Sequence, residues 1–275
     1  MIKDIVVNLS VAPIQDVAGA FAVSLAAAFD AHVAGVGFVY DPVPAVVAVG
    51  SVPPHVIEPL RRENENAAKA AIAKFEELAR RTGLSAEAHV VQATFLGAAD
   101  SFGRLARRFD LSVVGQAEPH RLAPEELIVE AALFASGRPV IVVPYIHKTG
   151  LRLTRIMVCW DGSRNAARAI ADAMPLLAKA EAIDVVIVAN EAARDELPGA
   201  DIAQHLARHG VPVRVQRIFS PDLDVANAIL SQAADSSTDF IVMGGYGHSR
   251  LREFILGGAT RGILTAMTVP VLMSH

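Results

Sequence analysis

The chain has 275 residues, 52% of them hydrophobic and 20% charged, so it can bury a full core and is not disordered. Its net charge of −4 divides evenly: residues 1–148 carry 13 basic against 16 acidic side chains and residues 149–275 carry 12 against 13, so neither half has the basic excess that nucleic acid or an anionic membrane surface requires. The single cysteine, Cys159, excludes an internal disulfide.

The opening MIKDIVVNLS has no apolar run of leader length, and a cytoplasmic protein is expected. Ile5–Leu9 and Val33–Tyr40 read as strands because they are short and β-branched. The stretch from Asp41 to Pro59 is apolar, but Pro42, Pro44, Pro53, Pro54 and Pro59 exclude a membrane helix. It reads equally as a lid, an effector pocket or an apolar loop over the sheet. A helix is expected over Arg62–Thr82, then strands at Ala86–Val91, Leu111–Val114 and Val140–Val143. After the polar connection HKTGLRLT at 147–154, strands follow at Arg155–Trp160, Asp184–Ala189, Pro212–Ile218, Phe240–Met243 and Val269–Met273, with helices over Asn165–Ala182 and Asp222–Ala234. Near-continuous apolarity predicts strands covered on both faces, hence parallel sheets with right-handed crossovers.

The pattern occurs twice. Asp110 matches Asp239 and Gly115 matches Gly244 at an offset of 129, Pro139 matches Pro270 at 131, and Ile5 matches Ile156 at 151. The drift reflects the proline-rich insertion in the first half. Two tandem α/β domains are expected, residues 1–148 and 149–275, each an open, mostly parallel five-stranded sheet with helices on both faces. Edge strands such as Val269–Met273 would be natural pairing sites for a homodimer.

The halves differ where ligands sit in such sheets, at the C-terminal strand ends beside helix N-termini. MGGYGHSRLREFILGGATRGIL, residues 243–264, holds Gly244, Gly245 and Gly247 and then Gly257–Gly258 before the last helix. Glycines allow close backbone approach to phosphate, and the free N–H groups of a helix start face the anion. Thr260 could add a hydroxyl, and Arg250, Arg252 or Arg261 a charge. There is no GxxxxGK[ST], and a GxGxxG reading from Gly245 fails at Arg250.

The Gly-x2-Gly-x9-Gly spacing at Gly244, Gly247 and Gly257, the opening strand RIMVCWDGS and the ending TVPVLM together resemble the universal stress protein family, as a tandem pair over essentially the whole chain. The resemblance implies an adenine-nucleotide α-hydrolase-like fold and ATP, alone or with Mg, or no nucleotide at all. It places Cys159, Trp160 and Asp161 around the adenosine and Ala189 against the base. Met243, Gly244, Tyr246, Gly247, Gly257, Gly258 and Ala259 would follow the phosphates, with Thr260 beside them. The family has Ser or Thr directly after the last glycine of the motif, where this chain has Gly258, which leaves the holding to backbone amides. A homodimer or an intrachain domain pair is also implied.

The first half departs from this pattern. Glu118 stands at the second glycine position, APEELIVEAALFASG lacks the glycine pair, and Ser10 replaces Asp161. A carboxylate there repels phosphate. One nucleotide per chain is expected, in the second half.

Other features carry less. Asp161 can cap the following helix. Cys159 in an apolar strand reads as an inert thiol. His205 and His209, one turn apart, lack a third metal ligand; His248 is either a phosphate contact or a turn residue. No nucleophile elbow, metal cluster or positioned base marks an enzyme. Three readings stand: a stress-response protein whose adenine nucleotide modulates its partners, a nucleotide-free dimerisation scaffold, and a weak ATPase.

Overall fold

The structure, a computed structural model, describes residues 1–11, 16–41, 54–118, 124–189, 199–219, 224–246 and 258–275. By contact the chain divides into two compact units, Ile2–Arg138 and Pro139–His275 together with Met1.

The first unit contains β1 (Asp4–Asn8), α1 (Val17–Phe29), β2 (His32–Tyr40), α2 (Pro54–Arg81), β3 (Ala86–Ala93), α3 (Phe95–Ala106), β4 (Leu111–Gly115) and α4 (Glu125–Ala135). Its strands lie in the order β3-β2-β1-β4, all parallel. The second contains β5 (Val140–Val143), β6 (Arg155–Cys159), α5 (Arg164–Leu177), β7 (Ala182–Ala189), α6 (Ala200–Arg208), β8 (Arg214–Phe219), α7 (Val225–Asp235), β9 (Phe240–Gly244), α8 (Ala259–Ala266) and β10 (Val271–Ser274). Its order is β5-β10-β9-β6-β7-β8, parallel except that β5 runs antiparallel to β10. Each half of the repeat thus contributes five strands, while β5, last strand of the first half, packs into the second unit. β10 is therefore not the open edge that the sequence suggested: β9 covers one side and β5 the other.

In each unit the chain walks outward from a central strand and then returns to its other side. The switch point falls between β1 and β4 in the first unit and between β6 and β9 in the second, where open α/β sheets bind ligands. The repeated aspartates hold these central strands in register. Asp110 accepts from the Lys3 and Asp4 backbone amides at 2.7 and 3.0 Å. Asp239 accepts from the Arg155 amide at 3.0 Å.

Helix starts follow from side-chain capping of exposed amides: Asp16 on α1, Thr94 on α3, Ser163 on α5 and Asp224 on α7, at 2.9–3.1 Å. In the first unit α1 packs with α2, and α3 with α4, as two layers. Glycine allows the close helix contacts. A Cβ at Gly103 in α3 would meet the Ala131 carbonyl oxygen of α4 at 2.9 Å, and one at Gly262 in α8 would meet the Ala226 Cβ of α7 at 2.5 Å.

The apolar insertion does not stay a loop to its end. α2 already begins at Pro54 and carries Pro59 inside it; residues 42–53 lie outside the described residues. Not every strand is covered on both faces. β3 and β8, the outer strands, are mostly exposed, with Val90 and Phe219 at 50% and 58%, and their sequences AEAHVVQA and RVQRIF mix polar with apolar residues. Among the described residues no helix is long and apolar enough to cross a membrane.

Candidate functional site

The site expected from sequence is built on the switch point of the second unit. Register places Val158 beside Val242, so the ends of β6 and β9 open side by side. Cys159 ends β6, Trp160 donates its amide to the Val186 carbonyl at 2.9 Å, and Asp161 follows in an exposed turn. Met243, 5% exposed, is a core residue at the end of β9, and Gly244 and Tyr246 lead out of it. Ala189 ends β7, on the far side of β6 from β9. Gly247 and Gly257, with His248 and the arginines at 250 and 252, lie outside the described residues.

α8 opens at Gly258, followed by Ala259 and Thr260. Gly258, the N-cap, has φ −60° and ψ 156°, a backbone open to any residue, and as a glycine it offers no capping side chain of its own. First-turn amides are donors of the kind that suit an anion. Thr260, 3% exposed, accepts from the Tyr246 amide at 3.0 Å, which ties the start of α8 to the end of β9. Tyr246 sits at φ +50°, a left-handed turn that the hydrogen bond holds in place.

Two expectations change in detail. The cap of α5 is Ser163, whose Oγ accepts from the Ala166 amide at 3.1 Å; Asp161 instead accepts from the Ser163 amide at 2.9 Å and shapes the turn before the helix. Gly244 has a packing reason that the glycine pattern alone does not reveal. A Cβ there would stand 2.6 Å from the Ala166 nitrogen and 2.7 Å from the Asn165 carbonyl carbon, so the N-terminus of α5 rests on it. The sequence also passed over Asn165. Buried at 2% exposure, it donates from Nδ2 to the Gly245 carbonyl at 2.7 Å and fixes the peptide after β9. Its position in the first turn after DGS was the available signal.

Cys159 is inert. Burial, and then the Asp161 charge, push its thiol up to about 12. The His205 and His209 rings meet edge-on at 4.7 Å on α6, and no group of three or more candidate metal ligands occurs among the described residues.

No family model matches the chain. Universal stress protein Slr1230 of Synechocystis sp. is 22% identical over 219 residues, 76% of this chain and 72% of that protein. Among solved structures, a universal stress protein from Archaeoglobus fulgidus has a TM-score of 0.73 at 15% identity, covering 98% of this chain and 95% of its own. The functionally unknown protein PA1789 from Pseudomonas aeruginosa PAO1 has a TM-score of 0.61 at 15% identity, covering 99% and 92%. The fold is that of tandem universal-stress-type α/β proteins. The chain is thus similar in sequence to one universal stress protein and shares its tandem α/β fold with the solved structures over nearly its whole length.

Proposed function

We propose that the second unit binds an adenine nucleotide, ATP first among them, and that occupancy modulates the association of this stress-response protein with its partners. The observation that carries the reading is the start of α8. Gly258 needs no special φ there and has no side chain of its own to cap the helix, so its glycine backbone serves close approach by an anion, with the amides of Gly258, Ala259 and Thr260 as donors. Asp161 follows β6 at the switch point and Ala189 ends the adjoining strand β7, which supports a base and ribose lying on that side. The curated relative's name supports the stress role. The domain division at 148/149, the cytoplasmic location, the homodimer and the roles of Gly247 and Gly257 belong to the same proposal.

ATP added to the purified protein is expected to raise its melting temperature, with one nucleotide per chain by mass spectrometry of ligand released on denaturation. At about 100 times Kd the linkage is about 2.7 kcal/mol. No copurifying nucleotide, together with no thermal shift, defeats the proposal and favours the nucleotide-free scaffold. Slow phosphate release would instead favour the ATPase.

A further inference from the structure

The strand order leaves β3 and β8 with one neighbour each, and the two edges are not alike. β3 runs for 8 residues, AEAHVVQA. The Val33 amide donates to the Ser85 carbonyl at 3.1 Å and the Asp41 amide to the Ala93 carbonyl at 3.0 Å. Both backbone groups of a strand residue point to the same side, and the side alternates along the chain. Odd positions of β3 therefore turn to β2. The even ones, Ala86, Ala88, Val90 and Gln92, turn outward, where no strand of the described residues meets them.

This edge carries neither lysine nor proline, the residues that most often guard an open strand, and Val90 is 50% exposed. Its charged side chains are Glu87 and His89, both solvent-accessible, with His89 Nε2 3.2 Å from Glu87 Oε1. β8 is shorter, at 6 residues. The Trp160 amide donates to the Val186 carbonyl, so odd positions of β7 face β8, and the register then turns Val215, Arg217 and Phe219 outward. An arginine thus stands in the middle of that edge, where it opposes pairing.

We propose that β3 pairs antiparallel with β3 of a second copy of this chain, about a two-fold axis at Ala88. The proposal rests on the homodimer proposed above and gives it a surface. Outward residues then meet: Ala88 faces Ala88 and Ala86 faces Val90, each pair exchanging both backbone hydrogen bonds. On the other face Glu87 stands directly opposite His89 of the second copy, and the reverse. With the contact already present along each strand, acids and histidines alternate around the axis. An axis at Val90 would use the same backbone groups, but it sets His89 against Val91 and Glu87 against Ala93. The charge pattern selects Ala88. Such a contact is isologous and closes as a dimer.

The test is sedimentation equilibrium of the full chain without nucleotide, so the outcome does not depend on ATP binding. The parent is expected to be a dimer. His89→Glu sets carboxylates opposite each other on both sides of the axis and is expected to weaken the dimer at least about tenfold. Glu87→Lys combined with His89→Glu puts opposite charges back and is expected to restore it, a recovery that a folding defect would not give. Ala88→Cys brings two Cα atoms to about 5.5 Å across the axis and is expected to form an intermolecular disulfide under mild oxidation, whereas Val90→Cys is not. The proposal is overturned by a monomeric parent, or by assembly beyond a dimer, which β3 joining β8 head to tail would give. It is also overturned if Val90→Cys cross-links in place of Ala88→Cys. A dimeric parent that His89→Glu leaves unchanged overturns the β3 surface while the homodimer itself stands.

Discussion

The two units share strand order and switch point, yet they differ at the helix that follows the switch. In the second unit the N-cap of α8 is Gly258, which has no side chain. In the first, α4 reaches one turn further and places Glu125 and Glu126 in its first turn. The same helix dipole therefore meets a glycine in one unit and built-in carboxylates in the other. On the proposed function, a turn of helix and two acids are what separate a unit that takes an anion from one that repels it, with the sheet order unchanged.

The strand-end glycines provide the sharpest way to break this comparison. Gly244→Ala puts a methyl 2.6 Å from the Ala166 nitrogen, and neither backbone can yield cheaply. The variant is expected to lose about 3 kcal/mol or more in urea unfolding. At Gly115 the nearest atom to the same methyl is Ala18 Cβ at 3.9 Å, so Gly115→Ala should stay within about 1 kcal/mol of the parent. Equal losses would mean that the two strand ends are packed alike after all.

Importing the acid sharpens the functional side. Gly258→Glu keeps a permitted φ of −60° and should fold, but it sets a carboxylate where the second unit is bare. ATP affinity, read by titration, is expected to fall at least about tenfold, or 1.4 kcal/mol. An unchanged affinity would remove α8 from the site.

A smaller effect concerns the latch between α8 and β9. Thr260→Val removes the acceptor for the Tyr246 amide and should cost about 1–2 kcal/mol, while Thr260→Ser should restore most of it. If valine is as stable as serine in the same unfolding assay, the latch does not matter.

Much of this was legible in the sequence. The repeated Asp110 and Asp239, the apolar runs and the glycines after β9 gave two α/β repeats in the right order, because each signal is local. Three things were not legible, and each depends on contacts distant in sequence. β5 joins the sheet of β10 through antiparallel pairing between residues far apart in sequence, Val140 with Met273, Ile141 with Leu272 and Val142 with Val271. Gly244 is required by the N-terminus of α5, which no spacing rule announces. Asn8 reads as one polar residue in an apolar strand; only its burial and missing partner mark it. The extra turn of α4 was visible only as the acidic pair Glu125–Glu126, not as a longer helix.

The smallest expected effect separates Cys159 from Asn8, the residues that end the central strands. Asn8 does not titrate, whereas the Cys159 thiol is raised to about 12 in the folded chain. Below pH ~8.5, the ordinary thiol value, folded and unfolded chains both keep the proton and the group is neutral to stability. Above it the unfolded chain releases the proton while the folded chain retains it, so the folded state binds more protons and stability falls as pH rises towards 12. Urea unfolding at pH 7.5 and 9.5, the latter below the ordinary tyrosine range, should show the parent losing more stability than Cys159→Ser. Alkylation of the native protein at pH 8 should also be much slower than in urea, since the reactive species is the thiolate. A native thiol that reacts as fast as the unfolded one would place Cys159 in an open, polar cleft, and the end of β6 would then need to be redrawn as a contact surface rather than the floor of the site.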